Sequence, residues 1–478
     1  MSNLSELLPA GAGAKSADFV ASGTLGSGVT VALKADGTVE AVSGNSQVIG
    51  TSTVFESATS SLMSATFDSN SNKVVIAYRD NGNFTKGTAV VGTVSGTNIS
   101  FGGNVIFESG IANNIFITFD PSQNKVVILY ENQMNGNGLA KVGTVSGTSI
   151  YFGSAYTLRS SYGISSTSAT FDSNSNKVVV AYQDGSNNYG VARVATISGT
   201  SISFGFSITF TTSTSNYISA TFDSNLNKVV IAYRDNGNSN YGTAIIGTVS
   251  GTSISFGTKV VFNTARTDYI SSTFDSSSNK VVIAYRDEAT SYYPAAIIGT
   301  VSGTSISFGS SVGFGNQYPN YISSVFDSST AKVTISYRDD TNASYGTVIV
   351  GTVSGTSISF DSPTVFESEA CSDIAATFDS TANKVVIAYK NFGNSQYGTG
   401  IVLQNAFSNS TDFIGITDQA IADTATGAVI VQGGVSEKVS GLTANTDYYV
   451  QNDGTLSTTV STVPAGRALS STSILLEG

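Results

Sequence analysis

The sequence predicts an all-β protein: a seven-bladed β-propeller with four-stranded blades, together with a small composite β domain built from both ends of the chain. Three observations lead to this prediction. A unit recurs seven times with a period of 52 residues, shortened once to 51 between Asp172 and Asp223. Each unit holds four short apolar segments separated by turn residues. The last unit lacks its fourth segment, and the beginning of the chain supplies it.

Two markers in different parts of the unit both recur seven times. One is a Val-Ser-Gly or Ile-Ser-Gly step that begins at Val42 and ends its series at Val353. The other is a Phe-Asp step, and the seven copies are numbered in chain order by its aspartates: Asp68, Asp120, Asp172, Asp223, Asp275, Asp327 and Asp379. Self-similarity at a fixed period of this length indicates a repeat architecture.

Copy 4 illustrates the four strands that each unit predicts, at 217–223, 228–235, 241–249 and 253–257. The second strand is apolar on both faces, so it must be covered on both sides. A linear solenoid is the alternative architecture, but it needs polar capping repeats. Neither the first nor the last copy is unusually polar.

The copies are offset along the chain in a way that favours a closed ring. Copy 7 stops after its third strand at Gln404, whereas residues 42–57 align with the fourth-strand segment 94–109 of copy 1. Donation of the 42–57 strand to copy 7 would remove both free sheet edges. The predicted organisation is a flexible arm at 1–16, N-terminal strands of the composite β domain at 17–41, the propeller at 42–405, and a C-terminal β domain at 406–478.

Composition restricts the classes of partner. The chain has 22 Lys and Arg against 33 Asp and Glu, a net charge of −11, which disfavours nucleic acid and anionic membranes. The single cysteine, Cys371, excludes an intramolecular disulfide and is consistent with assembly in a reducing cytoplasm. The N-terminus lacks a basic start and a signal-length apolar run, and no segment is apolar enough for a membrane span, so neither export nor membrane insertion is expected.

The chain also lacks the residues of common catalytic sites. It has no histidine and no tryptophan, which excludes a Ser-His-Asp triad and an imidazole metal site, and Cys371 is expected to be an inert thiol. No acid pair stands out for glycoside hydrolysis. The Asp68-Asn70-Asn72 pattern is interpreted as a hairpin turn rather than a calcium loop, and the GAGAKS segment at 11–16 as part of the flexible arm. No catalytic residue, metal or cofactor is predicted.

Variation among the copies separates two faces of the predicted propeller. The turns after strands one and three hardly change, whereas the loops after strands two and four differ in every copy. The variable face is therefore the predicted recognition surface. Its candidate ligand-binding residues are a recurring tyrosine series and several residues unique to one loop: Tyr189, Tyr241, Tyr293, Tyr345, Tyr397, Arg266, Asp268, Gln317 and Tyr318.

A second tyrosine series opens the first strands of three copies on the same face: Tyr217, Tyr269 and Tyr321. Tyrosine rings can stack on sugars, and Arg and Asp can bind hydroxyls or carboxylates. The alternative is structural: the tyrosines pack between blades, and each arginine that ends a second strand pairs with the aspartate that follows it. These arginines are Arg79, Arg234, Arg286 and Arg338.

The two ends of the chain carry a family resemblance. The segments FVASGTLGSGVTVALKADGTV and FIGIT…TGAVIVQGGV…GLTANTDYYVQNDGTLSTT…AGRALSSTSILL resemble the terminal modules of virion structural proteins from marine tailed bacteriophages, of the fibre, appendage or capsid-decoration type. The resemblance covers residues 1–41 and about the last 70 residues. It implies a virion location, attachment to other virion proteins through the composite domain, and a homo-oligomer on the particle.

The expected function is that of a non-enzymatic virion protein whose propeller binds host-surface polysaccharide or decorates the particle. A cellular lectin or adhesin is the first alternative, although it would need an export signal. A propeller glycoside hydrolase and a purely structural pad are the others.

Overall fold

The computed structural model describes residues 16–34, 36–316 and 318–477. The all-β class predicted from the sequence is confirmed: within these ranges there is no α-helix, and the helical turns are two 3₁₀ segments, Glu288–Thr290 and Ser410–Asp412. No helix in the described part is long and apolar enough to cross a membrane. Contacts divide the described chain into a repeat unit, 48–405, and a terminal unit formed by 16–47 and 406–477.

Each copy in the repeat unit folds into antiparallel strands in the order of the sequence. The first strands are Thr53–Asp68, Val105–Asp120, Ile164–Asp172, Ile208–Asp223, Val260–Asp275, Pro319–Asp327 and Thr364–Asp379. The second strands are Lys73–Asp80, Lys125–Asn132, Lys177–Asp184, Lys228–Asp235, Lys280–Asp287, Lys332–Asp339 and Lys384–Asn391. The third strands are Lys86–Ser95, Asn137–Ser146, Tyr189–Ser198, Tyr241–Ser250, Tyr293–Ser302, Tyr345–Ser354 and Tyr397–Gln404. The short fourth strands are Asn98–Phe101, Ser149–Phe152, Ser201–Phe204, Ser253–Phe256, Ser305–Phe308 and Ser357–Phe360.

The segments that follow the fourth strands differ from the predicted loops. In copy 5, residues Val260–Asp275 form one continuous strand: Val260 pairs with Ala244 of copy 4, and Asp275 pairs with Lys280 of copy 5. Five of the seven first strands have this length of 16 residues. The other two crossovers are interrupted after the short strands Tyr156–Arg159 and Val312–Gly313. The variable segments are therefore mostly strand, because their backbone groups pair with two successive copies.

The beginning of the repeat unit pairs with its end. Val48–Ile49 pairs with the third strand of copy 7 through Leu403 and Ile49, and Thr59 pairs with Tyr397 of the same strand. Each first strand contacts the first strands of the preceding and following copies, and the first strand of copy 7 contacts that of copy 1. None of the sheets among the described residues closes on itself.

The core lies between successive copies, and the second strands supply most of it. Five consecutive residues of the copy 4 strand, 229–233, are fully buried, as expected for a strand covered on both faces. A buried tyrosine occurs at the same place in every second strand, and six of the seven meet a phenylalanine of a crossover, as in the edge-to-face pair Phe210–Tyr233 with ring centroids 5.2 Å apart. These tyrosines are Tyr78, Tyr130, Tyr182, Tyr233, Tyr285, Tyr337 and Tyr389.

Serine hydroxyls join neighbouring first strands. The backbone N–H of Ala376 in copy 7 donates to Oγ of Ser323 in copy 6 at 3.0 Å. The same bond recurs at four other junctions between copies, where the acceptor is Oγ of Ser64, Ser168, Ser219 or Ser271. Copies 2 and 7 have Phe116 and Ala375 at this position. Small residues in the first strands thus allow close approach and satisfy backbone donors across five of the seven junctions.

The aspartates that number the copies cap the turn between the first and second strands. Asp68 accepts hydrogen bonds from the backbone N–H groups of Asn70 and Ser71 at 2.9 and 3.0 Å. Equivalent bonds occur at the other six aspartates, so the Asp68-Asn70-Asn72 pattern forms the predicted turn.

The terminal unit contains two five-stranded sheets and one two-stranded ribbon. The first sheet combines both chain ends in the order Ser16–Val20, Thr426–Val431, Phe413–Thr417, Thr30–Leu33 and Val39–Ala41. The ribbon pairs Gly44–Asn45 with Phe407–Ser408. The second sheet has the order Val435–Ser436, Ser473–Leu476, Pro464–Ser470, Asp447–Val450 and Leu456–Ser457. The arm at 1–15 lies outside the described residues.

Candidate functional site

A β-bulge at the same place in every first strand builds the candidate site. In copy 5 the register with the second strand shifts between Asp268 and Ser271, and Tyr269 in the bulge has φ of 51°. All seven equivalent residues have positive φ: Leu62, Asn114, Ser166, Tyr217, Tyr269, Tyr321 and Asp373. Such a conformation is uncommon outside glycine, and a bulge redirects the side chain that it carries.

In copies 4, 5 and 6 the bulge residue is a tyrosine, and the three rings form a row. The ring centroids of Tyr217 and Tyr269 are 5.1 Å apart, and those of Tyr269 and Tyr321 are 5.9 Å apart. An arginine from the end of the second strand lies over each ring, at 4.9 Å for Arg234 on Tyr217 and 4.7 Å for Arg286 on Tyr269. Arg338 lies over Tyr321 in the same way, at 5.1 Å.

Three arginines from two copies converge on Asp268. Arg234 of copy 4 donates to Oδ1 of Asp268, and Nη2 of Arg286 donates to Oδ2 at 2.8 Å. Nε of Arg266 lies 3.3 Å from Oδ2. The side chain of Asp268 is only 2% exposed, whereas that of Arg266 is 46% exposed. We call these four residues, with Tyr217, Tyr269 and Tyr292, the Asp268 cluster.

The arginines keep Asp268 ionised. Burial alone would raise the pKa of its carboxyl, but the hydrogen bond from Arg286 and the charges of Arg234 and Arg266 outweigh it and lower the pKa below its usual value. Conversely, the charge of Asp268 raises the pKa of Arg266. The cluster therefore presents a fixed carboxylate and fixed guanidinium groups near neutral pH.

Exposed aromatic rings border the cluster on the side of copy 5. Arg286 also lies 5.5 Å from the ring centroid of Tyr292, and the Tyr292 hydroxyl donates to Oε1 of Glu288 at 2.7 Å. The Tyr318 ring lies 6.2 Å from Tyr292 and 6.1 Å from Tyr293. Tyr292 is 36% exposed and Tyr318 is 40% exposed, so both offer aromatic surface to solvent.

The structure brings together about half of the residues predicted from the sequence. Arg266 and Asp268 belong to one cluster, Tyr241 is the strand partner of Arg266, and Tyr293 meets Tyr318. Tyr189, Tyr345 and Tyr397 begin third strands in other copies and are half-buried. Gln317 lies outside the described residues.

The neighbour pairing considered for the arginines is not what the structure shows. Arg234 and Asp235 point to opposite faces of their strand: Arg234 reaches Asp268 of the next copy, whereas Asp235 lies 3.3 Å from Nζ of Lys259. Arg338 pairs with Asp340, two residues on. Because neighbouring residues of a strand point to opposite faces, each of these arginines finds its partner on its own face, in the next copy for Arg234 and two residues on for Arg338.

The sequence places the bulge tyrosines in the aromatic series of the variable face, because one position of the repeat holds Tyr in three consecutive copies and Leu, Asn, Ser or Asp in the others. They are not among the selected candidate residues, and Tyr292 is not singled out at all. Tyr292 has no such signal, because it occurs once in a loop next to Tyr293.

The surroundings of the single thiol disfavour its reactive thiolate form. Cys371 is buried in the core of copy 7, and burial raises its pKa to about 12. No group of three or more acidic or cysteine side chains in the described part of the chain is placed to hold a metal ion.

Comparisons with known proteins relate the chain to solved structures only. No family model and no curated protein matches it. The lectin BP39L from Burkholderia pseudomallei aligns with a TM-score of 0.54 at 8% identity, over 74% of this chain and 99% of the lectin. AofleA from Arthrobotrys oligospora aligns at 0.43 with 10% identity, over 71% and 97% of the two chains. A Lactobacillus plantarum protein aligns at 0.46 with 11% identity, over 63% and 83%. The likeness to BP39L concerns the fold.

Proposed function

We propose that the repeat unit is a seven-bladed β-propeller that binds saccharides without catalysing their conversion. Three features support the propeller: seven copies of one strand pattern, contacts between successive first strands from copy 1 round to copy 7, and the pairing of Val48–Ile49 with copy 7. The similarity in fold to a protein described as a lectin is consistent with this assignment.

The observation that carries the binding function is the Asp268 cluster with its exposed aromatic border. Saccharides present C–H faces that pack on aromatic rings and hydroxyls that exchange hydrogen bonds with Arg and Asp side chains. Tyr292 and Tyr318 supply the rings, and Arg266, whose charge acts on Tyr292, supplies exposed donors. Arg266 lies within the strand Val260–Asp275, and Tyr292 and Tyr318 directly precede the strands Tyr293–Ser302 and Pro319–Asp327, so the neighbouring sheets restrain all three.

The same geometry favours binding over glycoside hydrolysis. A hydrolase needs one carboxyl group with a raised pKa to protonate the leaving oxygen. Asp268 has a lowered pKa and is surrounded by three arginines, so it cannot hold a proton near neutral pH. With no histidine in the chain, imidazole cannot supply the acid instead.

Saccharide binding can be tested by glycan-array binding followed by calorimetry with the wild-type chain and a double variant, Tyr292→Ala with Tyr318→Ala. The variant is expected to lose most of the affinity. The matched control changes the exposed tyrosines Tyr151 and Tyr162 of other copies to Ala and is expected to bind normally. Binding to no saccharide at all, or loss in the control rather than in the variant, would refute the proposal.

We propose a virion location on the resemblance of the terminal segments alone. The terminal unit, in which both chain ends share a sheet, would attach the chain to other virion proteins as a homo-oligomer and leave the repeat unit free for host-surface polysaccharide. Mass spectrometry and immunogold imaging of purified particles test this directly. Detection on a cell surface and in no particle would favour the lectin or adhesin alternative.

A further inference from the structure

The Asp268 cluster and the neighbouring Glu288 together carry more positive than negative charge. Arg234, Arg266 and Arg286 face Asp268, and Glu288 is the other acid whose charge acts on Arg266. Three guanidinium groups against two carboxylates leave one positive charge in excess. The whole chain has a net charge of −11, so this local excess is opposite in sign to the rest of the molecule.

The three arginines differ in how many of their N–H groups already donate hydrogen bonds within the protein. Arg234 also donates to Oδ1 of Asn236 at 3.0 Å, and Arg286 also donates to Oδ1 of Asn320. Nε of Arg286 is buried and has no hydrogen-bond partner among the described residues. Arg266 has only its long contacts to Asp268, at 3.3 and 3.4 Å. A guanidinium carries five N–H donors in a planar fork that matches a carboxylate, so Arg266 has donors left for an external anion.

We infer that the Asp268 cluster selects saccharides that bear a carboxylate, with Arg266 holding the carboxylate and the Tyr292 and Tyr318 rings holding the sugar face. This inference rests on the proposed saccharide binding and names the class of ligand. The net negative chain repels a polyanion at long range, so the preference must come from short-range charge-assisted hydrogen bonds within the cluster. Arg266 is therefore the residue that determines the specificity for carboxylated saccharides.

The test measures dissociation constants by calorimetry for three oligosaccharides of matched length: an oligogalacturonate, a neutral oligogalactan, and a sulfated oligogalactan. Wild-type protein is expected to prefer the oligogalacturonate over the neutral oligomer by about tenfold or more. Arg266→Gln is expected to reduce that ratio to near one. Its side chain is almost half exposed, so folding should persist, which the thermal unfolding midpoint checks.

Arg159→Gln is the matched control. Arg159 also lies over an exposed tyrosine, 5.9 Å from the Tyr162 ring, and pairs with an aspartate, but it lies in the crossover between copies 2 and 3 and is outside the cluster. This variant is expected to keep the wild-type preference. Arg266→Lys keeps the positive charge but lacks the planar set of guanidinium donors, so it is expected to retain only part of the preference for the carboxylated oligomer.

The outcomes separate the inference from the proposed function. Equal affinity for neutral and acidic oligomers would overturn carboxylate selection and leave saccharide binding intact. Equal affinity for sulfated and carboxylated oligomers would also overturn it, since any anion would then suffice. A preference lost in Arg159→Gln but kept in Arg266→Gln would place the site elsewhere. Binding to none of the three, nor to any other saccharide, would refute the proposed function itself.

Discussion

Copies 1 to 3 and copies 4 to 6 have the same backbone at the bulge but different side chains. Leu62, Asn114 and Ser166 adopt φ between 46° and 55°, and Tyr217, Tyr269 and Tyr321 adopt φ between 51° and 54°. In copies 1 to 3, which we call the first arc, the bulge side chains make unrelated contacts: Asn114 donates to the Glu131 carboxylate and to the Ile164 carbonyl, whereas Leu62 packs against the core. In copies 4 to 6, which we call the second arc, the bulge tyrosines form a row of rings, and an arginine lies over each ring.

The difference shows that the scaffold and the site are separable. The bulge is present whichever side chain it carries, so the repeat specifies it through strand register and not through the bulge residue. Tyrosine in this conformation costs about 1 kcal/mol or more of backbone strain. Its occurrence in three consecutive copies is therefore explained by what the side chains contact.

The largest expected effect comes from removing the carboxylate at the centre of the second arc. Asp268→Ala leaves three arginines without their counter-charge, two of them mostly buried. We expect the free energy of unfolding to fall by about 3–5 kcal/mol, measured by urea denaturation. Ser61→Ala changes the equivalent position on the first arc and should cost about 1 kcal/mol. Equal losses in the two variants would mean that the arcs do not differ energetically.

The contribution of Asp268 should also depend on pH. Its pKa is lowered in the folded state, so the stabilisation is present above the unfolded value of about 3.9 and is lost as pH falls through the folded value. The difference in stability between the wild type and Asp268→Asn should be constant from about pH 5 to 7 and should shrink below about pH 4. A difference that grows on acidification would contradict the assignment of a paired carboxylate.

A second comparison concerns the buried tyrosines of the second strands. The Tyr78 hydroxyl donates to Oε2 of Glu56 at 2.9 Å, whereas the Tyr337 hydroxyl has no partner among the described residues. Tyr78→Phe removes a bond to a buried acid and should lower the free energy of unfolding by about 1–3 kcal/mol. Tyr337→Phe should be neutral or slightly stabilising. Urea denaturation of both variants under identical conditions measures the difference in their free energies of unfolding. A larger loss for Tyr337→Phe than for Tyr78→Phe would contradict the prediction.

The serine bonds between copies give a smaller effect. Ser323→Ala removes the acceptor for the Ala376 N–H and should cost about 1 kcal/mol. The junction between copies 7 and 1 has Ala375 instead of serine, so Ala375→Ser tests whether the bond can be added there, with an expected gain of up to about 1 kcal/mol. Thermal unfolding of the two variants is the measurement. A loss from Ala375→Ser would show that this junction packs differently from the others.

The smallest effect is expected from placing asparagine at the bulge in each of the two arcs. Leu62→Asn places a residue that tolerates positive φ on the first arc and should stabilise by about 0.5–1 kcal/mol. Tyr269→Asn gains the same relief but loses contacts to two tyrosine rings and to Arg286, so it should destabilise by about 1 kcal/mol. Effects of the same sign in both variants, measured by denaturation, would contradict the separation of scaffold and site.

Much of the strand pattern could be predicted because it depends on local chemistry. The turn at Asp68 and the doubly buried second strand at Lys228–Asp235 follow from residue type and spacing. The variable segment 263–269, within the strand Val260–Asp275, was expected to be a loop because its sequence differs from copy to copy. Its strand structure comes from backbone bonds to two neighbouring copies, which do not depend on side-chain identity.

The candidate site could be predicted only in part. Arg266 and Asp268 were selected because they occur in one loop alone, and they do lie together. The alternative that pairs Arg234 with the adjacent Asp235 is wrong, because the partner of Arg234 is Asp268, 34 residues away.

The repeated strands, the turns and the absence of histidine were determined by the sequence itself, because each follows from residues within one short segment or from composition. Convergence of Arg234, Arg266 and Arg286 on one carboxylate was decided by tertiary structure alone. The physical reason is that a bulge redirects Tyr269 and the packing of copy 4 against copy 5 brings distant side chains within hydrogen-bond reach. Seven copies of one strand pattern thus carry the Asp268 cluster at the place where copies 4 to 6 have tyrosine in the bulge.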